Sequence, residues 1–331
     1  MSLSAIILAA GKSTRMKSAL PKPLHEVCGR PMLRYILDAA FAAGAERAFV
    51  VVGHGKDLVV EAFGGDGRVE FVEQKEQHGT GHAARVCVPN IEAFGVQGQD
   101  VLILAGDVPL VRGELLRHLV EAHRRTGADA SMATADLDDP FGYGRIIRDS
   151  AGNFLRIVEQ ADATPAEAAV REVFPSLYCV KATALVDLLG RLTNDNAKGE
   201  YYLTDIYGIC RELGGTVLAE KCVRADDILA PNTRAQLAEA DVVMQRRIAA
   251  ALLESGVSIV DPRLTYVEAG AEIGADSKLL PFTFVGAGAR IGRGCTIGPF
   301  AHVARDAVVP DGSAVAGNAA AAGLAPVDPL L

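Results

Sequence analysis

Three short stretches of the chain place phosphate- or metal-handling residue types at spacings that could serve chemistry. The first is Leu8-Ala9-Ala10-Gly11-Lys12-Ser13-Thr14-Arg15-Met16, followed by Leu20-Pro21-Lys22-Pro23-Leu24. Small side chains let a backbone approach a nucleotide and turn its N–H groups toward phosphate oxygens. Arg15 and Lys22 add cationic charge to the same segment. Gly11-Lys12-Ser13 imitates the close of a Walker A loop, but that motif needs a glycine where Ile6 stands. Nor is the run a dinucleotide loop of the G-x-G-x-x-G kind. From pattern alone, a phosphate cradle and a solvated basic loop both stay open.

The second stretch is Val101-Leu102-Ile103-Leu104-Ala105-Gly106-Asp107-Val108-Pro109-Leu110. An apolar run ends in one carboxylate, which suits a hard cation such as Mg²⁺ that takes only one or two protein oxygens. The same Asp107 could instead cap the following turn. In the third, Glu73-Gln74-Lys75-Glu76-Gln77-His78-Gly79-Thr80-Gly81-His82-Ala83, two glycines permit close backbone approach and Gln74 could pair with a base edge. A turn leading into a helix explains that spacing equally well.

Positioning such residues requires a scaffold, and 331 residues suffice for about two domains. Half of the residues are hydrophobic, enough for a large core. Apolar runs at Ala5–Leu8, Ala48–Val52 and Val101–Ala105 read as strands buried on both faces. Helical patterns at Pro31–Ala43 and Glu114–Arg125 lie between or after them. This alternation predicts an α/β fold with a mostly parallel sheet, whose ligands sit beyond the carboxyl ends of strands. The loops after Leu8 and Ala105 are thus the first places to look.

Residues 233–255 lack Gly and Pro and predict a connecting helix. Beyond it the period changes. Val267, Ile273, Leu279, Val285, Ile291, Ile297, Val303, Val309 and Val315 recur every six residues, the mark of a parallel β-helix with about three coils. The Ala- and Gly-rich tail from Ala314 onward carries little pattern.

The formal net charge of −8 disfavours a nucleic-acid partner. The six cysteines are scattered without a C-x-x-C pair, so they read as reduced thiols rather than a disulfide or zinc framework. No apolar run reaches the roughly 20 residues of a membrane span. The N-terminal apolar run lacks a basic leader and reads as a buried strand, so the protein is expected to be soluble and cytoplasmic.

Taken in order, the motifs resemble the uridylyltransferase (pyrophosphorylase) part of the bifunctional N-acetylglucosamine-1-phosphate uridylyltransferases, within the sugar nucleotidyltransferase superfamily. The L-A-A-G-K-x-T-R-M loop, P-K-x-L-H, Q-x-x-x-x-G-T-G-H-A and G-D-V-P-L carry the resemblance. So do Asp138-Asp139-Pro140-Phe141-Gly142-Tyr143-Gly144-Arg145-Ile146 and Leu192–Asp205, and the likeness extends from residue 4 to about 310. It implies a Rossmann-like (GT-A-like) nucleotidyltransferase domain over 1–232, a connecting helix over 233–255, and a short left-handed parallel β-helix with its tail over 256–331.

The resemblance further implies Mg²⁺-dependent transfer of a uridylyl group from UTP to N-acetylglucosamine 1-phosphate, with pyrophosphate released. Leu8, Ala9, Ala10, Gly11 and Lys12 would cradle the nucleotide, and Arg15 and Lys22 would neutralise phosphates. Gln74, Gly79 and Thr80 would read uracil, and Gly106 would hold the ribose side. Asp107 and Asn232 would bind Mg²⁺, while Gly144, Glu159, Tyr202 and Thr204 would face the sugar. Homotrimers through the β-helix are the family habit.

Two departures qualify this. Where the family commonly reads E-x-N-T-G, this chain has Glu172-Val173-Phe174-Pro175-Ser176, so Phe174 replaces an asparagine beside the sugar. Another sugar 1-phosphate, or dTTP, is the first alternative; a catalytically silent sugar-nucleotide-binding regulator is the second. The β-helix region also has only His302 and reads Gly317-Asn318-Ala319-Ala320-Ala321 without Lys, so no acetyltransferase activity is expected.

Overall fold

The computed structural model describes residues 1–11 and 14–317, with the backbone alone at Thr14. Two compact units emerge: Met1–His25 with Met32–Thr233, and Glu26–Pro31 with Arg234–Leu331.

The first unit is built on one sheet. Its order is Val69–Glu73, Arg47–Val52, Ser2–Leu8, Gln99–Ala105, Leu177–Lys181, Ala130–Asp136, Glu172–Phe174, Gly144–Arg148, Phe154–Val158, with Val217–Lys221 beside Ala130–Asp136. The first four strands are parallel, as the apolar runs predict. Past Gln99–Ala105 the sheet turns mixed, because Leu177–Lys181 and the Glu172–Phe174 and Gly144–Arg148 strands run antiparallel to their neighbours. The expectation of a mostly parallel sheet therefore holds for one half only. Short connections at residues 137–143, 149–153 and 175–176 allow antiparallel neighbours there, whereas Ala130–Asp136 and Val217–Lys221 are each reached through helices.

Residues of Ser2–Leu8 and Gln99–Ala105 pair in register from Ser2 with Gln99 to Leu8 with Ala105. Alternate side chains enter two cores: Ala5 and Ile7 join Leu102 and Leu104 on one face, and Ile6 joins Val101 and Ile103 on the other. The helix between the first two strands spans Met32–Ala42 and buries Leu33, Ile36, Leu37 and Ala40. It starts one residue later than expected, since Pro31 pairs with Glu26 in a small hairpin. A second helix, Gly113–Thr126, buries Leu115, Leu116, Leu119 and Val120.

The second unit opens on the 21-residue helix Arg234–Glu254. The hairpin strands Glu26–Val27 and Arg30–Pro31 belong to this unit: the Cys28 amide donates to Asp241 Oδ1 at 2.7 Å, and Cys28 O accepts from Ala269 N at 2.9 Å. Short strands then stack in three parallel sheets. Register pairs Lys278 with Thr296, Phe284 with His302 and Arg290 with Val308, so one coil takes 18 residues. All nine periodic aliphatics from Val267 to Val315 meet in one core. Glycine follows several of them because coils touch at the corners. A Cβ on Gly286 would lie 2.5 Å from the Arg305 backbone nitrogen of the next coil. Gly286→Ala should therefore lower stability by about 1–3 kcal/mol, read as a fall in the denaturation midpoint of the β-helix.

Candidate functional site

The parallel order Arg47–Val52, Ser2–Leu8, Gln99–Ala105 makes the end of Ser2–Leu8 a switch point, where successive connections leave in opposite directions. Leu8 and Ala105 end in the same rung. The loops beyond them stay together: Gly106 N donates to Leu8 O at 2.8 Å, and Ala9 N to Val51 O at 3.0 Å. Gly106 is forced by this approach, since a Cβ there would meet Ala9 Cβ and Leu8 O at 2.9 Å.

Over this rung lies a cavity of about 190 Å³ lined by Leu8, Ala9, Gly11, Arg15, Lys22, Pro23, Gly106, Asp107 and Asn232. Eight of the nine were expected from the sequence; Pro23 was not. Lys22 opens a short turn, Lys22–Leu24, between Pro21 and Pro23, and both prolines reduce the freedom the segment loses on folding. The Lys22 ammonium, 9 % exposed as a residue, donates to Asp107 Oδ2 and, at 2.9 Å, to Asn232 Oδ1. Arg15 Nη2 donates to the same Asn232 oxygen at 3.0 Å. Residues 15, 22, 107 and 232 thus converge on one point. The Tyr143 hydroxyl, donating to Ile228 O at 3.0 Å, has its pKa raised by burial and then by the Asp107 charge. Sequence reading did not single it out.

Among the described residues no group of three His, Cys, Asp or Glu could hold a metal. Asp107 and Asn232 offer two hard oxygens, which fits a cation that completes its shell with water and phosphate. The cationic nitrogen already bridging those two oxygens shows that the pair accommodates positive charge.

The other expected residues form two flanking patches outside that cavity. Gln74, 4 % exposed, uses its Nε2 on Gly79 O at 3.2 Å and His82 Nδ1 at 3.0 Å. Gln77, overlooked in the sequence, donates to Ala10 O at 2.8 Å and ties this patch to the first loop. Thr80 Oγ1 accepts from Leu203 N at 3.1 Å, and Gly81 N donates to Tyr201 O at 2.7 Å, which joins the patch to residues 201–205. There Thr204 Oγ1 donates to Glu159 Oε1 at 3.0 Å. A Cβ on Gly144 would come 3.7 Å from that same Glu159 oxygen. The Tyr202 hydroxyl is buried without a hydrogen-bond partner among the described residues. Lys12 lies outside the described residues.

Asp205 adjoins this patch, and desolvation, then Glu159 and Asp162, push its pKa up to about 6 from 3.8. A carboxyl raised on folding holds its proton longer in the native state. It therefore weakens stability as pH rises from about 4 through 6. Asp205→Asn should leave the melting temperature nearly unchanged near pH 3.5 and raise it by an amount that grows from about pH 4 to pH 6 and levels off above, a trend that thermal scans across pH would check.

A mixed α/β sheet with cationic side chains and two hard oxygens gathered at its switch point suits a nucleotide-handling domain. The chain belongs to the family described as MobA-like NTP transferase domain, which matches residues 5–198, and the bacterial transferase hexapeptide repeat matches residues 270–305. It is 48% identical over 279 residues to the protein named "Bifunctional protein GlmU" of Pelobacter propionicus, covering 84% of this chain and 60% of that one. Proteins of the same name from Geobacter metallireducens (47%, 84% of this chain, 58% of that one) and Caldanaerobacter subterraneus (45%, 85% and 60%) are similar. The chain thus spans about 60% of the length of these relatives. A solved putative glucose-1-phosphate thymidylyltransferase of Bacillus anthracis, in complex with a sucrose, has the same fold: TM-score 0.60, 19% identity, 73% of this chain and 95% of that one.

Proposed function

We propose that the chain transfers a uridylyl group from UTP to N-acetylglucosamine 1-phosphate. The convergence of Arg15, Lys22, Asp107 and Asn232 on one cavity is the observation that carries this reading. A cavity of about 190 Å³ takes a phosphate group and a cation, not a whole nucleotide. The base and the sugar would then extend to the Gln74-Gly79-Thr80 patch and the Gly144-Glu159-Tyr202-Thr204 patch. The 42–48% identity to proteins named GlmU supports uridylyl transfer over other nucleotidyl transfers.

In the proposed reaction a phosphate oxygen of the sugar attacks the α-phosphorus of UTP. One P–O bond forms, the bond to the β-phosphate breaks, and pyrophosphate leaves with the electron pair. Asp107 and Asn232 would hold Mg²⁺, which supplies charge neutralisation on the phosphates. Lys22 and Arg15 would bind the phosphate oxygens and align the two reactants; no covalent intermediate on the protein is needed. Because the Lys22 ammonium bridges the two metal-ligating oxygens here, it must shift to a phosphate oxygen when nucleotide and metal are held together.

The protein incubated with UTP, Mg²⁺ and N-acetylglucosamine 1-phosphate should release pyrophosphate; no release with any hexose or hexosamine 1-phosphate would refute transfer. The proposal is confined to this activity, since residues 318–321, on which the expected lack of acetyl transfer rests together with His302, lie outside the described residues. Trimerisation through the second unit is part of the proposal. Phe282 and Phe300, 54 % and 62 % exposed and stacked 4.9 Å apart, offer an apolar ladder for it. A cytoplasmic location is also proposed; among the described residues no helix is long and apolar enough to cross a membrane.

A further inference from the structure

The Ala10–Gly11 peptide lies at the edge of the cavity over Leu8 and Ala105, and its two residues face different ways. Ala9 and Gly11 line the cavity, whereas Ala10 does not and joins the core beside Ile6 and Val51. The Ala10 carbonyl turns toward Gly53, where an added Cβ would come within 2.9 Å of its oxygen. Gln77 Nε2 donates to that oxygen at 2.8 Å, across 67 residues of sequence, and is its only donor among the described residues.

A trans peptide holds its C=O and its N–H on opposite sides. Whatever fixes the Ala10 oxygen therefore fixes the direction of the Gly11 N–H, and a carbonyl held away from the cavity sends that N–H toward it. Crowding does not set this plane. A Cβ built on Gly11 would meet nothing within 4 Å among the described residues, and glycine accepts either orientation at little steric cost. The loop that carries Gln77 is itself pinned, since Gln74 N donates to Val52 O at 2.8 Å and Tyr201 N to His78 O at 2.8 Å. A side chain on a loop so held can set the plane from outside the cavity.

We propose that Gln77 is a positioning residue for the nucleotide: by holding the Ala10 carbonyl it presents the Gly11 N–H to an oxygen of the nucleoside triphosphate. This rests on the nucleotide reading of the site. Gln77 touches no reacting atom. It spares the bound nucleotide the cost of ordering the peptide, which strengthens binding of ground and transition states alike. Its loss should raise KM for UTP and leave kcat as it was.

Two variants test this. Gln77→Met keeps the length and removes the donor. Gln77→Glu keeps the shape but, ionised at pH 8, offers only acceptors, to which the Gly11 N–H would turn. Position 77 is exposed, so both should fold, with thermal melts as control. KM for UTP should rise about tenfold in Gln77→Met, the size of one lost hydrogen bond, and at least as much in Gln77→Glu. The KM for the sugar 1-phosphate should not move. Crystal structures of the unliganded wild type and Gln77→Glu should show the Ala10–Gly11 plane turned over in the variant. An unchanged KM for UTP in Gln77→Met, a fall in kcat alone, or an unturned plane in Gln77→Glu overturns the proposal. If the wild type neither binds nor turns over UTP, the nucleotide reading fails, and the two crystal structures still decide whether Gln77 sets the plane.

Discussion

Asp107→Asn should lower kcat/KM for uridylyl transfer by about 10²–10³-fold, the usual cost of deleting one preorganised electrostatic contributor. The substitution keeps the shape and one oxygen acceptor, yet removes the charge that a divalent cation needs. Asp107 stands just past a strand whose side chains from Val101 to Leu104 are buried, so its backbone has little freedom to compensate. The fold should survive, because the side chain is partly exposed and, among the described residues, its ion pair is with Lys22 alone. Steady-state kinetics over a Mg²⁺ series, with a thermal melt as control, checks this. Full activity in the variant would remove the metal from the account.

The second large effect concerns Lys22. Lys22→Met should also cost about 10²–10³-fold in kcat/KM, since it deletes a cation from the phosphate end. It should do something opposite to metal affinity measured without nucleotide. The ammonium now bonds both Asp107 Oδ2 and Asn232 Oδ1, and would compete with a dication for them. Two unit charges 4 Å apart interact by about 4 kcal/mol at an effective dielectric of 20, while a tenfold affinity change needs about 1.4 kcal/mol. Mn²⁺ binding to Lys22→Met, followed by electron paramagnetic resonance without UTP, should therefore tighten by at least about tenfold. Unchanged or weaker binding would mean that the ammonium does not sit where the metal goes.

Much of this site was legible because its supports are strongly patterned. Buried parallel strands leave long aliphatic runs, and those ending at Leu8 and Ala105 pointed to the loops that line the cavity. The β-helix was legible for a similar reason: one aliphatic per six residues fills its core. The antiparallel half was not, because several of its buried positions are polar. Thr134 and Arg145 are buried by pairing with groups far away in sequence, Glu172 Oε1 at 38 residues and the Ala168 carbonyl at 23. Contacts of that kind leave no local period. Gln77 was missed on the same ground, since Ala10 lies 67 residues from it. Phe174 was legible as a departure from the family pattern, but its packing against Tyr178 and Tyr207 was not.

The most direct measurement is a crystal structure with UTP and Mn²⁺, with the metal located by its anomalous scattering. The account predicts a peak bound by Asp107 and Asn232, the triphosphate in the cavity, and the Lys22 ammonium moved onto a phosphate oxygen. A metal peak elsewhere, or a triphosphate lying away from Lys22, would contradict it.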